Sequence, residues 1–206
     1  MTYVKFCGLR TPADTAMVNR LRPDFIGMVL APGRRRTIGL DTAMNISDNL
    51  DPEIVPVGVF VDQPIEEIER FASSGVIKAV QLHGSESEEY VEEVKSRTGL
   101  KVIRAFTVSS IEEVKAASES EADIIMFDAG AGTGRTFDWS LLSACRRRFF
   151  LAGGLTPENV YQAILDLEPL GVDVSSGIET EGNKDELKMQ RFMDSVCEAD
   201  MRMAGL

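Results

Sequence analysis

Eight short apolar runs, each followed by a stretch of helical period, set the strongest limit on what this chain can fold into. The runs occupy 4–9, 24–30, 55–61, 79–84, 101–106, 123–128, 149–155 and 172–175 and are rich in Val, Ile, Phe and Leu. Most lack clean apolar–polar alternation, as expected of strands covered on both faces. Between them lie helical stripes: Met17, Val18 and Leu21, then Ile65, Ile68 and Phe71, then Tyr90, Val91 and Val94. Strand and helix alternate about every 20 to 30 residues, the pattern of a parallel sheet wound by crossover helices. Eight such units with no second composition regime predict one α/β domain over residues 1–206, a compact (β/α)8 TIM barrel. A doubly wound open sheet is the alternative. At 206 residues the chain can bury a sizeable core, but it sits near the bottom of the barrel range, so its loops must be short.

Composition enters through what it excludes. Lys and Arg number 22 against 33 Asp and Glu, a formal net charge of −11. Such a chain repels a phosphate backbone, so no nucleic-acid partner is expected. No run reaches the roughly 18 apolar residues of a membrane span, so no membrane partner is expected either. The opening MTYVKFCGLR runs into a strand without the apolar core of a signal peptide, which points to a soluble, cytoplasmic protein. Cys7, Cys145 and Cys197 are too scattered for a disulfide framework, and with one histidine and no CxxC a metal site is not expected. No GxGxxG follows a strand, so there is no dinucleotide signature for hydride transfer.

The segment from Phe149 to Gly177 carries the clearest ligand-binding grammar. Phe149, Phe150 and Leu151 read as a buried strand, Gly153 and Gly154 let backbone approach a ligand, and Thr156-Pro157-Glu158 reads as an N-cap with proline at the first helical position. Val172, Asp173 and Val174 read as the next strand, followed by Ser175, Ser176 and Gly177. Two neighbouring turns of this kind make a cup of backbone donors suited to a phosphate dianion. In (β/α)8 barrels that cup follows strands 7 and 8, which is where the count places these runs.

Other candidates also stand at strand ends. Cys7 closes the first run with Lys5 close by. It is either a small core hydrophobe or, if a cation lowers its pKa toward neutrality, a general base. Asp128 closes the sixth run as a turn-former or a functional acid, and Gly132, Thr133 and Gly134 lie in the glycine-rich loop after it, a flexible turn or a ligand cover. Gln81 and His83 end the fourth run, the histidine reading as a hydrogen-bonded structural group or a catalyst. Asp173 points into the barrel or its mouth, where a carboxyl needs a partner. The arginine triplet 146–148 falls at a predicted helix C-terminus, whereas Arg34, Arg35 and Arg36 follow the second strand at the rim and read as an anion clamp or a solvated turn. One barrel brings all the strand C-termini to one face. A base and an acid of different type around a phosphate anchor fit proton shuttling, as in an isomerase.

The motifs KFCGL, VGVFV, QLHG, GTGRTFDW, AGGLTPENV and VDVSSGIE, in this order, resemble those of the phosphoribosylanthranilate isomerases of tryptophan biosynthesis. The resemblance spans nearly the whole chain. It implies a (β/α)8 barrel that carries N-(5-phosphoribosyl)anthranilate through an Amadori rearrangement without cofactor or metal. It further implies Cys7 as general base at ribose C2 and Asp128 as general acid at the ring oxygen, with the Asp128 pKa raised by burial. The phosphate would rest on Gly153, Gly154, Ser175, Ser176 and Gly177, covered by Gly132, Thr133 and Gly134. The anthranilate carboxylate would meet an arginine of the second-strand loop, best aligned as Arg36, although Arg34 and Arg35 stay open. The related barrel of the histidine pathway carries an aspartate at the Cys7 position, and a non-catalytic phosphoribosyl binder would need neither Cys7 nor Asp128. A monomer and a homodimer are both compatible with the sequence.

Overall fold

The computed structural model describes residues 1–128 and 139–206. The apolar runs form parallel strands β1 (Tyr3–Cys7), β2 (Phe25–Val29), β3 (Val55–Phe60), β4 (Ala79–Leu82), β5 (Lys101–Phe106), β6 (Ile124–Asp128), β7 (Phe149–Ala152) and β8 (Gly171–Val174). They are hydrogen-bonded in that order and closed into a barrel by β1 against β8, from Tyr3 opposite Gly171 to Phe6 opposite Val174. That last ladder rules out the open-sheet alternative. Several strands end earlier than the apolar runs do: Gly8 and Leu9, His83 and Gly84, Gly153 to Leu155, and Ser175 lie past the strand ends and form the rim.

The missing alternation has a structural cause. Outward residues such as Phe6, Ile26, Phe127, Leu151 and Val172 join the core beneath the helices. Inward residues such as Val57, Ala79, Ile103, Met126 and Phe150 fill the barrel. Both faces are apolar, so period two appears in the side-chain directions and not in the polarity.

Helices α1 (Pro12–Leu21), α2 (Leu40–Asp48), α3 (Ile65–Ser73), α4 (Glu88–Thr98), α5 (Ile111–Ser118), α6 (Val160–Leu167) and α7 (Glu186–Met203) surround the strands. Each expected stripe packs inward: Val18 on α1, Ile65, Ile68 and Phe71 on α3, and Val91 and Val94 on α4 are buried. Helix α1 begins in a capping box, the Thr11 hydroxyl accepting from the Asp14 N–H while the Asp14 carboxylate accepts from the Thr11 N–H.

Three local expectations change. Trp139–Ala144 is a 3-10 helix, and the triplet behind it does not cap an α-helix. Arg147 instead donates to the carbonyls of Ser120 and Ala122, tying down the loop that feeds β6. Helix α6 starts at Val160 with Asn159 as its N-cap, three residues past the expected cap at Thr156. Asn159 accepts from the Thr156 N–H and donates to the Gly154 carbonyl, so it binds back to the glycine turn and the chain makes one extra turn first. Beyond β8, a 3-10 turn over Ser176–Ile178 leads into a small hairpin of β9 (Glu179–Thr180) and β10 (Asn183–Lys184), which the sequence did not announce. Gly132, Thr133, Gly134 and the Thr136-Phe137-Asp138 segment lie outside the described residues.

Candidate active site

Lys5 and Cys7 alternate with Val4 and Phe6 on β1, which turns both inward. Lys5 is fully buried and its Nζ donates to Asp173 Oδ1 at 2.7 Å across the β1–β8 closure. Asp173 thereby finds the partner its position demands. Burial disfavours the Lys5 charge, but the Asp173 carboxylate and the Cys7 sulfur outweigh it, and the ammonium pKa lies above its usual value. A β-carbon placed on Gly27 of β2 would stand 2.7 Å from Cys7 Sγ and 3.0 Å from Lys5 Nζ, so the bare backbone there leaves room for both.

The lysine beside Cys7 does not bring the thiol pKa toward neutrality. Burial pushes its pKa up, Lys5 pulls against it, Asp173 adds to the rise and Lys184 opposes it, leaving the thiol above its ordinary value. A cation is indeed close, but desolvation of a thiolate in the barrel mouth is the larger effect.

On the far side, Gln81 is buried on β4, and its Nε2 donates to His83 Nδ1 at 3.1 Å. With the amide so oriented, the imidazole carries its proton on Nε2, which stands 3.4 Å from Asp128 Oδ2. The carboxyl that ends β6 is thus steadied by a residue from two strands away. Gln81 Oε1 is buried without a hydrogen-bond partner among the described residues.

The turns after β7 and β8 sit against each other. Gly153 and Gly154 both take left-handed backbone, φ 81° and 69°, which turns successive N–H groups to one side. Gly177 has no space for a β-carbon because the Leu155 carbonyl presses on it, so the second turn packs directly on the first. Among the described residues the N–H groups of Gly153 and Gly154 donate to no protein backbone acceptor outside regular elements. The leading N–H groups of the Ser176–Ile178 turn have no acceptor within that turn. Ser175 Oγ donates to the Cys7 carbonyl at 2.9 Å, tying this turn to the end of β1. Around the barrel the order runs β6, β7, β8, β1, so Cys7 and Asp128 flank these two turns.

The β2 loop resolves into three different arginines. Arg34 engages Thr37 through its backbone. Arg35 is exposed and donates to Glu179 Oε2 at 2.6 Å. Arg36 holds Glu179 with Nε on Oε1 at 2.7 Å and Nη2 on Oε2 at 3.0 Å. Lys184 adds a bond to Glu179 Oε1 at 3.1 Å and another to the Ser175 carbonyl at 2.9 Å. Burial would raise the Glu179 pKa, but the hydrogen bonds from Arg36 and Arg35 and the charge of Lys184 bring it down to about 2. Sequence reasoning missed Glu179 and Lys184. The available signal was a carboxylate two residues past a Gly/Ser turn, where an anion site would ordinarily avoid one. Among the described residues no group of three or more His, Cys, Asp or Glu side chains converges as a metal site.

Fold and site together define the class: a (β/α)8 barrel whose thiol, carboxyl and imidazole gather at the strand C-termini around glycine- and serine-rich turns. Within that class, the chain belongs to the N-(5'-phosphoribosyl)anthranilate isomerase family, whose model matches residues 4–195. It is 43% identical to the N-(5'-phosphoribosyl)anthranilate isomerase of Lactiplantibacillus plantarum, over 92% of this chain and 89% of that one. It is similar to a phosphoribosyl anthranilate isomerase crystallised with reduced 1-(o-carboxyphenylamino)-1-deoxyribulose 5-phosphate, with 36% identity, a TM-score of 0.87 and coverage of 96% and 100%. Monomers of the dimeric enzyme from Thermotoga maritima match at 36% identity, a TM-score of 0.86 and the same coverage.

Proposed function

We propose that this chain, as one barrel domain, converts N-(5'-phosphoribosyl)anthranilate to 1-(2-carboxyphenylamino)-1-deoxyribulose 5-phosphate in tryptophan biosynthesis. The observation that carries this reading is the placement of Cys7 and Asp128 on the strands that flank the β7 and β8 turns. A substrate anchored there by its phosphate extends between a base and an acid. Asp128 gives its proton to the furanose oxygen, the ring opens, and a Schiff base forms at C1. The Cys7 thiolate then takes the C2 proton, leaving an enolamine. Tautomerisation places a proton on C1 and completes the ketone, so no atom is gained or lost.

The remaining residues bind. Gly153, Gly154, Ser176 and Gly177 offer N–H groups to the phosphate, Ser175 braces their turn, and Gln81 and His83 set the direction of Asp128. Asp173 serves through Lys5. Arg36 takes the anthranilate carboxylate in preference to Arg34 and Arg35, because it alone of the three is drawn in beside Gly8 and Ser175. Gly132, Thr133 and Gly134 cover the phosphate in this reading. The ligand is a small phosphorylated molecule, the working form a homodimer as in the Thermotoga maritima relative, and the compartment the cytoplasm. Among the described residues no helix is long and apolar enough to cross a membrane.

The test is a fluorescence assay with phosphoribosylanthranilate generated in situ, since it is labile. The expected result is a protein-dependent loss of the anthranilate-type emission. A flat trace with folded protein would overturn the reading.

A further inference from the structure

A buried carboxylate beside an anion site calls for a reason, because its charge repels the ligand. The Glu179 side chain is only 5% exposed, yet it stands in the mouth between the β2 loop and the β8 turn. It is held by four hydrogen bonds from three cations: two from Arg36, one from Arg35 and one from Lys184. Glu179 and Lys184 are direct cross-strand partners in the β9–β10 hairpin. The hairpin is itself strapped down, Arg10 donating to the Gly182 carbonyl at 2.7 Å and Arg35 to the same oxygen at 3.4 Å. The carboxylate therefore stands on a fixed platform.

The way Arg36 is gripped gives the reason. Nε and Nη2 face Glu179 side-on, so the end of the fork, Nη1 with the second Nη2 proton, points away from it. Among the described residues Nη1 has no hydrogen-bond partner. The Arg36 stem crosses Gly8, next to Cys7 in the chain, and passes Ser175 Oγ. We propose that Glu179 is a positioning residue: it locks Arg36 side-on so that the free edge of the guanidinium receives the aryl carboxylate of the substrate in a fixed relation to Cys7. A rigid planar fork accepts a carboxylate through two parallel bonds, so the same device discriminates against phosphoribosylamines that lack one. This inference rests on the isomerase reading for its substrate, not for its geometry.

Charge and positioning predict opposite signs. Removing a negative charge from an anion site should, on electrostatics alone, lower KM. Loss of positioning should raise it. Two variants separate the cases: Glu179→Gln removes the charge, and Glu179→Asp keeps it among the cations but withdraws the carboxylate by one methylene. For both, KM should rise about tenfold with kcat within about twofold of wild type, the mark of lost binding common to ground and transition state. Competitive inhibition by inorganic phosphate should stay unchanged, since its subsite is elsewhere. A KM that is unchanged or lower in both variants overturns the proposal. Benzoate titration at saturating phosphate gives an arm independent of turnover. If the wild-type protein does not turn over, the isomerase reading fails, while weaker benzoate binding by both variants still supports the positioning. Equal binding, or none to wild type, overturns the positioning.

Discussion

Replacing Asp173 by asparagine isolates the buried ion pair across the barrel closure. In wild type, Lys5 has no exposed surface and its Nζ meets Asp173 Oδ1 at 2.7 Å. The isosteric amide leaves an ammonium in the barrel with no ionised carboxylate beside it. Breaking one half of a buried pair costs about 3–5 kcal/mol. In a domain of this size each kcal/mol moves Tm by roughly 2–4 °C, which gives a fall of about 6–20 °C. Removing both charges, as in Lys5→Met with Asp173→Leu, should recover most of the loss, because no uncompensated charge stays buried. The pH dependence has a definite sign. The folded pKa of Lys5 lies above its unfolded value of 10.5, so the pair contributes fully below pH 10.5 and fades as pH rises through the folded pKa. Without the carboxylate, burial lowers the Lys5 pKa in the Asn variant, so its deficit should be largest at low pH and shrink as rising pH lets the buried ammonium lose its proton. Thermal and urea denaturation followed by circular dichroism measure both quantities. A Tm within about 2 °C of wild type, or a double variant no more stable than Asp173→Asn, would refute the reasoning.

Three further outcomes follow from the site. A base must lose its own proton first, and burial holds the Cys7 thiol above its ordinary value of 9.0. The pH profile of kcat/KM should thus climb by about tenfold per unit from pH 7 to 8, and a plateau already reached at pH 7 would contradict the raised thiol. Inorganic phosphate at tens of millimolar should inhibit competitively, and Gly154→Val should raise KM about tenfold or more by forcing a β-branched residue into left-handed backbone at the turn. An unchanged rate with phosphate would remove the cup from that place.

The barrel was legible because eight apolar runs with intervening helical stripes leave few topologies, and because strand position alone sends Cys7, His83, Asp128 and Ser175 to one rim. What was not legible depends on contacts between distant segments. Lys5 meets Asp173 across 168 positions and Arg36 meets Glu179 across 143, pairings that only closure of the barrel creates. The direction of the Cys7 shift stayed open for the same reason: the nearby lysine is visible in the sequence, while the desolvation that outweighs it is not. The late start of α6 turned on the Asn159 side chain choosing the Gly154 carbonyl, a competition that local propensity does not settle.

The most direct test of the acid–base account is the turnover of Cys7→Ser and Asp128→Asn beside wild type, with folding checked by thermal denaturation. Each variant should lose kcat by about 10² or more, with phosphate inhibition retained, since each removes a proton-transfer group and leaves the anchor in place. Near-normal turnover in either variant would take that residue out of the mechanism.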